Sequence, residues 1–456
     1  MVGLSNVTIV TIYSFANSLA MTAVTRCTPP IEKMESVKKQ IFLILFAKIR
    51  NKIDSYKFFF LNLQNKSLFE IMSDNKRYKI VYCTPALYMA GGVERVLTLK
   101  ANYFADHFGY DITIILTEGK DKPLFYPLSD KVKVVNLNIG FEELWTCSFI
   151  KKVFVYLKKQ HLFKKLLKQE LIRIHPDITV SLLRREINFL TSINDGSKKI
   201  GELHVNKANY RNFEQGEANV FKNLFARYWM RNLVYNLKQL DKFVVLTEED
   251  RNNWVELDNI EVIPDPLTFS PSSYSPLTER RVIAVGRYVY QKGFDLLIQS
   301  WSIVEKECPD WSLTIIGQGN RLEYESLMDE LHVDRSRCKL MGPTDTIQDE
   351  YMKSSLLVMS SRFEGFGMVL VEAMSCGLPV VSFDCPCGPK DIIQDHVDGL
   401  LVEKGNVEKL AESIIWMIQH PEQRKAMADK AVENVQRFGI DQIAEKWKSL
   451  FETLQA

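Results

Sequence analysis

The sequence carries almost no net charge. Its 58 lysines and arginines are offset by 56 aspartates and glutamates, which leaves a formal charge of +2 at pH 7. Proteins that bind nucleic acid by neutralising phosphates need a basic excess, so the composition gives no support for that class of partner. Hydrophobic residues make up 46% of the chain, and its 456 residues exceed the usual size of a single core. We therefore expect two globular domains.

Cysteine is sparse and unpatterned. The eight cysteines are scattered, with one Cys385-Pro-Cys387 pair and no repeated Cys-x-x-Cys spacing. Neither a zinc site nor a disulfide framework is indicated by this pattern. We expect reduced thiols in a cytoplasmic protein.

The first seventy residues lack an apolar run long enough to cross a membrane. The apolar bursts at 41–46 and 58–61 fall well short of the roughly twenty residues that a spanning helix needs. The chain also shows no signal-peptide pattern near Met1. The segment that begins Met72-Ser-Asp-Asn is typical of a chain start. We therefore predict that residues 1–71 form an N-terminal extension outside the fold.

From residue 78 onward, apolar strand-like runs alternate with helical stretches. This alternation predicts α/β architecture with parallel sheets and crossover helices. The strand candidates of the first half are residues 78–83, 112–116, 132–137, 178–182, 199–203, 242–246 and 262–263. A Ser/Pro-rich stretch then has linker composition. We predict a Rossmann-like acceptor domain over 72–266, a linker over 267–280 and a nucleotide-sugar domain, also Rossmann-like, over 281–456.

Two carboxylates, Glu364 and Glu372, flank a glycine-rich helix start. Gly365 and Gly367 let the backbone approach a ligand closely, and free N–H groups of the first helical turn favour an anion such as a diphosphate. Because a carboxylate accepts two hydrogen bonds at once, Glu372 could bind the vicinal hydroxyls of a ribose while Glu364 faces a sugar. The alternative is an ordinary loop and helix with two solvated glutamates.

The spacing of these two acids resembles the signature of retaining GT-B glycosyltransferases of family 4, the glycosyl transferases group 1. Further segments agree in order and spacing: Gly91-Gly92-Val93-Glu94-Arg95, Val285-Gly286-Arg287 with Gln291-Lys292-Gly293, Gly317-Gln-Gly319, and Gly388-Pro389. The resemblance extends over most of residues 78–450. It implies two Rossmann-like domains that face each other across a cleft, with a final helix near 443–454 that packs back on the first domain.

The resemblance also implies a donor site in that cleft. Its predicted residues are Gly91, Gly92, Arg287, Lys292, Gly317, Gly365, Phe366, Gly367 and Glu372. Arg287 and Lys292 are two cations on a loop at a strand's carboxyl end, where doubly wound sheets bind ligands, so they would neutralise the departing diphosphate. His204 matches a histidine that lies near the transferred sugar in relatives. His204 and Glu364 are the predicted catalytic residues, although a lone histidine is also commonly structural.

The implied reaction is the transfer of a hexose or N-acetylhexosamine, with retention, from a nucleotide-diphosphate sugar. UDP is the expected nucleotide, and a glycan or lipid-linked glycan in surface polysaccharide synthesis is the expected acceptor. No Asp-x-Asp motif occurs in the chain, so we expect metal-independent chemistry and no cofactor besides the donor. Two alternatives stay open: a nucleotide-sugar 2-epimerase and a catalytically silent sugar-nucleotide-binding subunit.

One predicted helix, residues 151–174, bears on the acceptor. At about 100° per residue, one face carries Val153, Leu157, Leu167, Leu171 and Ile174, and another carries Lys151, Lys152, Lys158, Lys159 and Lys165. The basic face could bind anionic lipid headgroups or a lipid-linked diphosphate, which predicts peripheral contact with the inner face of the cell membrane. The alternative is a solvated lysine-rich surface.

Overall fold

The computed structural model describes residues 76–146, 149–210 and 220–456, and its side chains outside 145–151 and 211–227. The predicted extension at residues 1–71 lies outside the described part of the chain.

The first sheet has seven parallel strands. They are β1 (Lys79–Thr84), β2 (Asp111–Leu116), β3 (Lys133–Asn136), β4 (Ile178–Ser181), β5 (Lys198–Glu202), β6 (Lys242–Val245) and β7 (Ile260–Val262). Their order across the sheet is β3-β2-β1-β4-β5-β6-β7. Ile80 and Tyr82 of β1 enter one apolar core while Val81 and Cys83 enter another, because alternate side chains of a strand point to opposite faces. Both faces of the sheet are therefore covered, as parallel sheets require.

The second sheet has six parallel strands and repeats the same winding. They are β8 (Arg281–Val285), β9 (Ser312–Ile316), β10 (Cys338–Met341), β11 (Leu356–Met359), β12 (Val380–Asp384) and β13 (Gly399–Glu403). The order β10-β9-β8-β11-β12-β13 reverses direction between β8 and β11, as the first sheet does between β1 and β4. Ligands of doubly wound sheets bind beyond the carboxyl ends of the strands at such switch points.

The described helices connect these strands and cover the sheets. They are α1 (Gly92–His107), α2 (Phe149–Ile174), α3 (Val220–Lys238), α4 (Glu248–Asn253), α5 (Phe294–Glu307), α6 (Leu322–Glu330), α7 (Ile347–Met352), α8 (Met368–Ser375), α9 (Pro389–Ile392), α10 (Val407–Gln419), α11 (Pro421–Val435) and α12 (Ile440–Gln455). In the described ranges, no helix has the length and apolar character needed to cross a membrane.

The last helix, α12, returns to the first sheet. Its buried residues Ile443, Trp447 and Phe451 share a core with Tyr82 and Phe104 of the N-terminal half. The predicted fold is thereby confirmed: two doubly wound units, with the C-terminal helix packed on the first. The predicted helix of the acid motif is α8, which ends at Ser375; Gly377, two residues further on, has the left-handed φ of 78° that is common just after a helix.

Candidate active site

The two halves of the chain meet where the carboxyl ends of their strands face each other. Asn206, which follows β5, donates from Nδ2 to the carbonyl oxygen of Glu364 at 2.7 Å. Arg95 of α1 reaches Glu372 of α8, with 3.1 Å between Nη1 and Oε1. The structure thus brings together the loops after β1, β5 and β11, which carry several of the predicted site residues.

Glu364 is buried and paired with a predicted donor-binding lysine. Its Oε1 accepts hydrogen bonds from Lys292 Nζ at 2.7 Å and from Ser361 Oγ at 2.5 Å. The sequence assigned Lys292 to the diphosphate and Glu364 to the sugar as separate groups. The structure joins them into one ion pair, so the positive charge of Lys292 is already balanced.

Glu372 is buried, and three side chains donate hydrogen bonds to its carboxylate. Its Oε1 accepts from Thr268 Oγ1 at 2.7 Å and from Arg95, and its Oε2 accepts from the Tyr351 hydroxyl at 3.3 Å. Burial raises the pKa of Glu372, and Arg95, Thr268 and Tyr351 partly offset that rise. Sequence reasoning missed Thr268 and Tyr351, because neither belongs to a recognisable motif.

Arg287 is the exposed cation of the predicted donor loop. In the described part of the chain, its guanidinium forms no hydrogen bond or ion pair. Behind it, the backbones after β8 and β9 touch, because a Cβ on Gly317 would lie 1.7 Å from the carbonyl oxygen of Gly286. Gly317 therefore serves the packing of the loop that presents Arg287.

The start of α1 is a second place for an anion. Gly91 caps the helix with extended backbone and no side-chain hydrogen bond, and Gly92 is its first residue. The free N–H groups of a helix start favour negative charge. A Cβ on Gly91 would overlap only the end of the flexible Glu94 side chain, so the Glu94 carboxylate lies beside this helix start.

The glycines of the acid motif allow close backbone contact. A Cβ on Gly365 would lie 2.3 Å from the carbonyl oxygen of His204, so the two halves of the chain touch at this point. Gly367 has a left-handed φ of 106°. Phe366, predicted to bind the donor, is buried and packs edge-on against Phe438, with ring centroids 5.3 Å apart. The Phe366 side chain therefore lies in the core, and only its backbone is placed to contact a donor; its donor-binding role stays a prediction.

His204 lies between two carboxylates. Its Nε2 is 3.2 Å from Glu202 Oε1, and its Nδ1 is 3.3 Å from Asp265 Oδ1. Burial acts to lower the pKa of His204, but Asp265 and Glu202 outweigh it and raise the pKa to about 9. Burial likewise acts to raise the pKa of Glu202, and Lys100 and His204 lower it to about 2. Glu202 could have been found from the sequence, because residues two apart along a strand share a face.

The same three residues have the geometry of a metal-binding group. The ligand atoms of Glu202, His204 and Asp265 all lie within 4.8 Å of one another. However, Lys100 also pairs with Glu202, and both side chains are fully buried. Lys100 and a protonated His204 would balance the two carboxylates, and a protonated imidazole would offer no lone pair to a metal.

The lysines of α2 fall into two environments. Lys152, Lys158 and Lys165 are exposed, whereas Lys159 donates to the carbonyl oxygens of Ile139 and Gly140 and pairs with Glu143. Lys159 therefore holds the preceding loop, which corrects its place in the predicted basic face. The side chain of Lys151 lies outside the described residues.

The apolar face predicted for α2 is buried only in its second half. Leu167 and Leu171 belong to the core. Val153 and Leu157 are 45% and 58% exposed, and the neighbouring Phe154 is 71% exposed. In the first half of the helix, Val155 and Tyr156 pack against that core, whereas Val153, Phe154 and Leu157 stay uncovered within the described part of the chain.

Comparisons with known proteins agree with this architecture. The family model described as "Glycosyl transferases group 1" matches residues 268–434. An uncharacterized glycosyltransferase of Haemophilus influenzae is 30% identical over 79% of this chain and 96% of its own length. An amylovoran biosynthesis glycosyltransferase of Erwinia amylovora is 28% identical over 82% of this chain and 99% of its own length.

Solved structures show the same fold. A sucrose-phosphate synthase from Thermosynechococcus elongatus has a TM-score of 0.68 and 19% identity, over 83% of this chain and 99% of that one. The S. aureus protein TarM, in complex with Fondaparinux, alpha-GlcNAc-glycerol and UDP, has a TM-score of 0.65 and 18% identity, over 82% of this chain and 99% of that one. With the identity and coverage of the Haemophilus relative, these findings establish that the chain belongs to the glycosyl transferases group 1 family.

Proposed function

We propose that this enzyme transfers a hexose or N-acetylhexosamine, with retention, from a UDP-sugar to a glycan or lipid-linked glycan during surface polysaccharide synthesis. One observation carries the proposal: Glu364 and Glu372 lie in the cleft beside Arg95 and Lys292. The amylovoran relative supports the polysaccharide context, and the UDP complex of the TarM structure supports the nucleotide. Relatives named as transferases favour transfer over the epimerase alternative.

The donor would bind mainly to the C-terminal half. The exposed guanidinium of Arg287 and the amides at the start of α1 offer positive charge to the diphosphate. Glu372 would take the ribose hydroxyls, which requires that they replace Arg95 or Thr268 as donors to its carboxylate. Arg95, once released, would be free to join the diphosphate.

The chemistry needs no enzymatic nucleophile in this scheme. The bond from the sugar's anomeric carbon to the diphosphate oxygen breaks, and the acceptor oxygen bonds to the same carbon on the same face. The acceptor's proton passes to the departing phosphate oxygen. Arg287 would stabilise the negative charge that develops, which is electrostatic catalysis. His204, held between Glu202 and Asp265, would border the reacting region. The pair of Glu364 with Lys292 would position the sugar.

The test is nucleotide release by the full-length protein from UDP-, GDP- and ADP-sugars, with and without EDTA. Glu372→Gln removes the charge that binds ribose and should raise the donor KM by roughly 10-fold to 100-fold, the worth of a charged hydrogen bond. Glu412→Gln, an exposed glutamate on α10, is the matched control and should leave release unchanged.

Release from one UDP-sugar, unaffected by EDTA, would support a metal-independent transferase. Binding of a donor with no turnover on any glycan acceptor would favour the silent subunit instead. Conversion of the donor to an epimer without any acceptor would overturn the proposal.

We further propose that the first half of α2 brings this cytoplasmic enzyme to an anionic membrane. Its exposed Val153, Phe154 and Leu157 stand among exposed lysines, which is the combination that binds bilayer surfaces. Sedimentation with phosphatidylglycerol vesicles should decrease in salt and be lost in the triple variant Lys152→Glu, Lys158→Glu, Lys165→Glu. The control triple variant is Lys306→Glu, Lys409→Glu, Lys446→Glu. Equal binding by both variants would mean that the α2 lysines are merely solvated.

A further inference from the structure

We infer that the exposed face of the second half of α3 binds an extended acidic glycan that leads away from the cleft. The inference rests on the proposed function, because the glycan would be the growing acceptor. The face consists of Tyr228, Arg231, Tyr235 and Lys238, and we call it the α3 stripe. Tyr228 and Tyr235 are 69% and 62% exposed, and both cations are exposed as well.

The four side chains form one line along the helix. At 3.6 residues per turn they fall within a sector of about 80°, and the two tyrosines stand about 10 Å apart along the axis, roughly the length of two sugar rings. The opposite side of α3 is anchored, because Leu233 and Leu237 are buried in a core with Phe243. The stripe is therefore a fixed surface whose spacing suits a polymer.

A shallow groove runs beside the stripe. Its volume is about 400 Å³, and it is lined by Met230, Arg231, Val234, Tyr235, Lys238 and Glu256. The acid in the groove, Glu256, is ion-paired with Lys207, with 2.7 Å between Oε2 and Nζ. Arg231 and Lys238 consequently leave an excess of positive charge along the groove.

The side chains of the stripe match the chemistry of an acidic sugar chain. A tyrosine offers a flat apolar face for the C–H side of a sugar ring and a hydroxyl for its edge. Arginine and lysine bind the carboxylate or phosphate groups that acidic glycans carry. The α2 surface is different, because its exposed residues are aliphatic or phenyl groups with lysines, which suit a bilayer.

The topology places the stripe on a path to the cleft. Strand β5 runs toward His204 at the cleft, and α3 lies between β5 and the parallel strand β6. A helix that connects two parallel strands begins near the edge where the first strand ends. The α3 helix therefore starts on the cleft side and leads away from it. A glycan whose reacting end lies in the cleft could continue along the stripe.

The test is affinity electrophoresis of the full-length protein in gels that contain an oligogalacturonate or a neutral malto-oligosaccharide of equal length. We expect the oligogalacturonate to retard the protein and the malto-oligosaccharide to have no effect. Added salt should weaken the retardation. The variants Tyr228→Ala/Tyr235→Ala and Arg231→Gln/Lys238→Gln should each lower the affinity by about tenfold, as expected when a stacked aromatic or a charged contact is lost.

The controls are exposed side chains elsewhere, Tyr274→Ala and Lys409→Gln/Lys446→Gln, with thermal melts to show that every variant is folded. The inference would be overturned if the stripe variants were retarded as much as the control variants. It would also be overturned if the protein bound the neutral malto-oligosaccharide as tightly as the oligogalacturonate. Nucleotide release with a monosaccharide acceptor tests the proposed function separately, because the stripe variants should leave it unchanged. Retardation by the oligogalacturonate without any nucleotide release would support glycan binding by the α3 stripe and count against the proposed transferase activity.

Discussion

At the scale of single residues, the pair of Lys292 and Glu364 makes a direct prediction. Lys292→Ala leaves the buried Glu364 carboxylate without its cation, and breaking a buried ion pair costs about 3 kcal/mol. We expect that loss in urea unfolding, together with loss of nucleotide release.

The double variant Lys292→Met/Glu364→Gln separates the two effects. It removes both charges and should recover most of the stability, since Ser361 can still donate to the glutamine oxygen. Activity should stay lost. Recovery of full activity by the double variant would show that neither charge takes part in the reaction.

His204 predicts a pH dependence of stability. Its pKa is raised from 6.5 to about 9 by Asp265 and Glu202 against the effect of burial. The folded state therefore holds a proton that the unfolded state releases above pH 6.5, so stability is fully present below that pH and falls as pH rises through about 9. Lys100 is the other charged group that faces this cluster, through Glu202.

The variant His204→Gln cannot hold that proton. The stability advantage of the wild-type protein over this variant should shrink by a few kcal/mol between pH 6.5 and 9.5. Urea unfolding at half-unit steps of pH measures it. Parallel curves for the two proteins would mean that His204 stays neutral in the folded state.

The sequence singled out Glu364, Glu372 and His204 as candidates but not the groups that pair with them. Motif spacing identifies side chains that serve one ligand, whereas pairs such as Lys292 with Glu364 join segments 72 residues apart. Such pairs form only after the loops of neighbouring strands have been placed. For this reason the sequence assigned separate roles to groups that the structure couples.

At the scale of helices and strands, α12 is predicted to act as a fixed anchor on the first sheet. Trp447 is buried there, and Lys100 Nζ lies 4.5 Å from the centroid of its ring. Trp447→Ala should cost about 3–5 kcal/mol, the usual loss for truncating a buried aromatic. Trp447→Phe, which keeps a ring against Phe451, should cost less than half of that. If Trp447→Ala lowered the free energy of unfolding in urea by less than about 1 kcal/mol, α12 would not act as an anchor.

The elements themselves were largely predictable, with α2 as the instructive exception. Buried parallel strands read as continuous apolar runs, so the predicted residues 178–182 match β4 at Ile178–Ser181. Helical periodicity put Leu167 and Leu171 on one face of α2, and both side chains lie in the core. It could not show that Val153 and Leu157 lie outside the core, because the same pattern suits a bilayer or another surface.

At the scale of the whole molecule, the sequence predicted two facing units but not where they touch. Arg95 and Glu372 are 277 residues apart, and Asn206 and Glu364 are 158 apart. No local pattern encodes contacts between independently packed sheets. Gly365 shows the consequence most clearly, because the sequence explained it by close approach of a ligand, whereas the structure fills that space with the backbone at His204.

We therefore predict that Gly365→Ala disturbs the contact between the two halves of the chain. The new methyl group would lie 2.3 Å from the His204 carbonyl oxygen, and a backbone atom of a strand end cannot move aside cheaply. Each sheet keeps its own core, so thermal stability should change little while kcat/KM for the donor falls about 100-fold through misplaced groups. Gly342→Ala is the control, because a Cβ there meets nothing within 4 Å. Unchanged turnover in Gly365→Ala would mean that the cleft works in a more open arrangement, in which the pair of Arg95 with Glu372 is also broken.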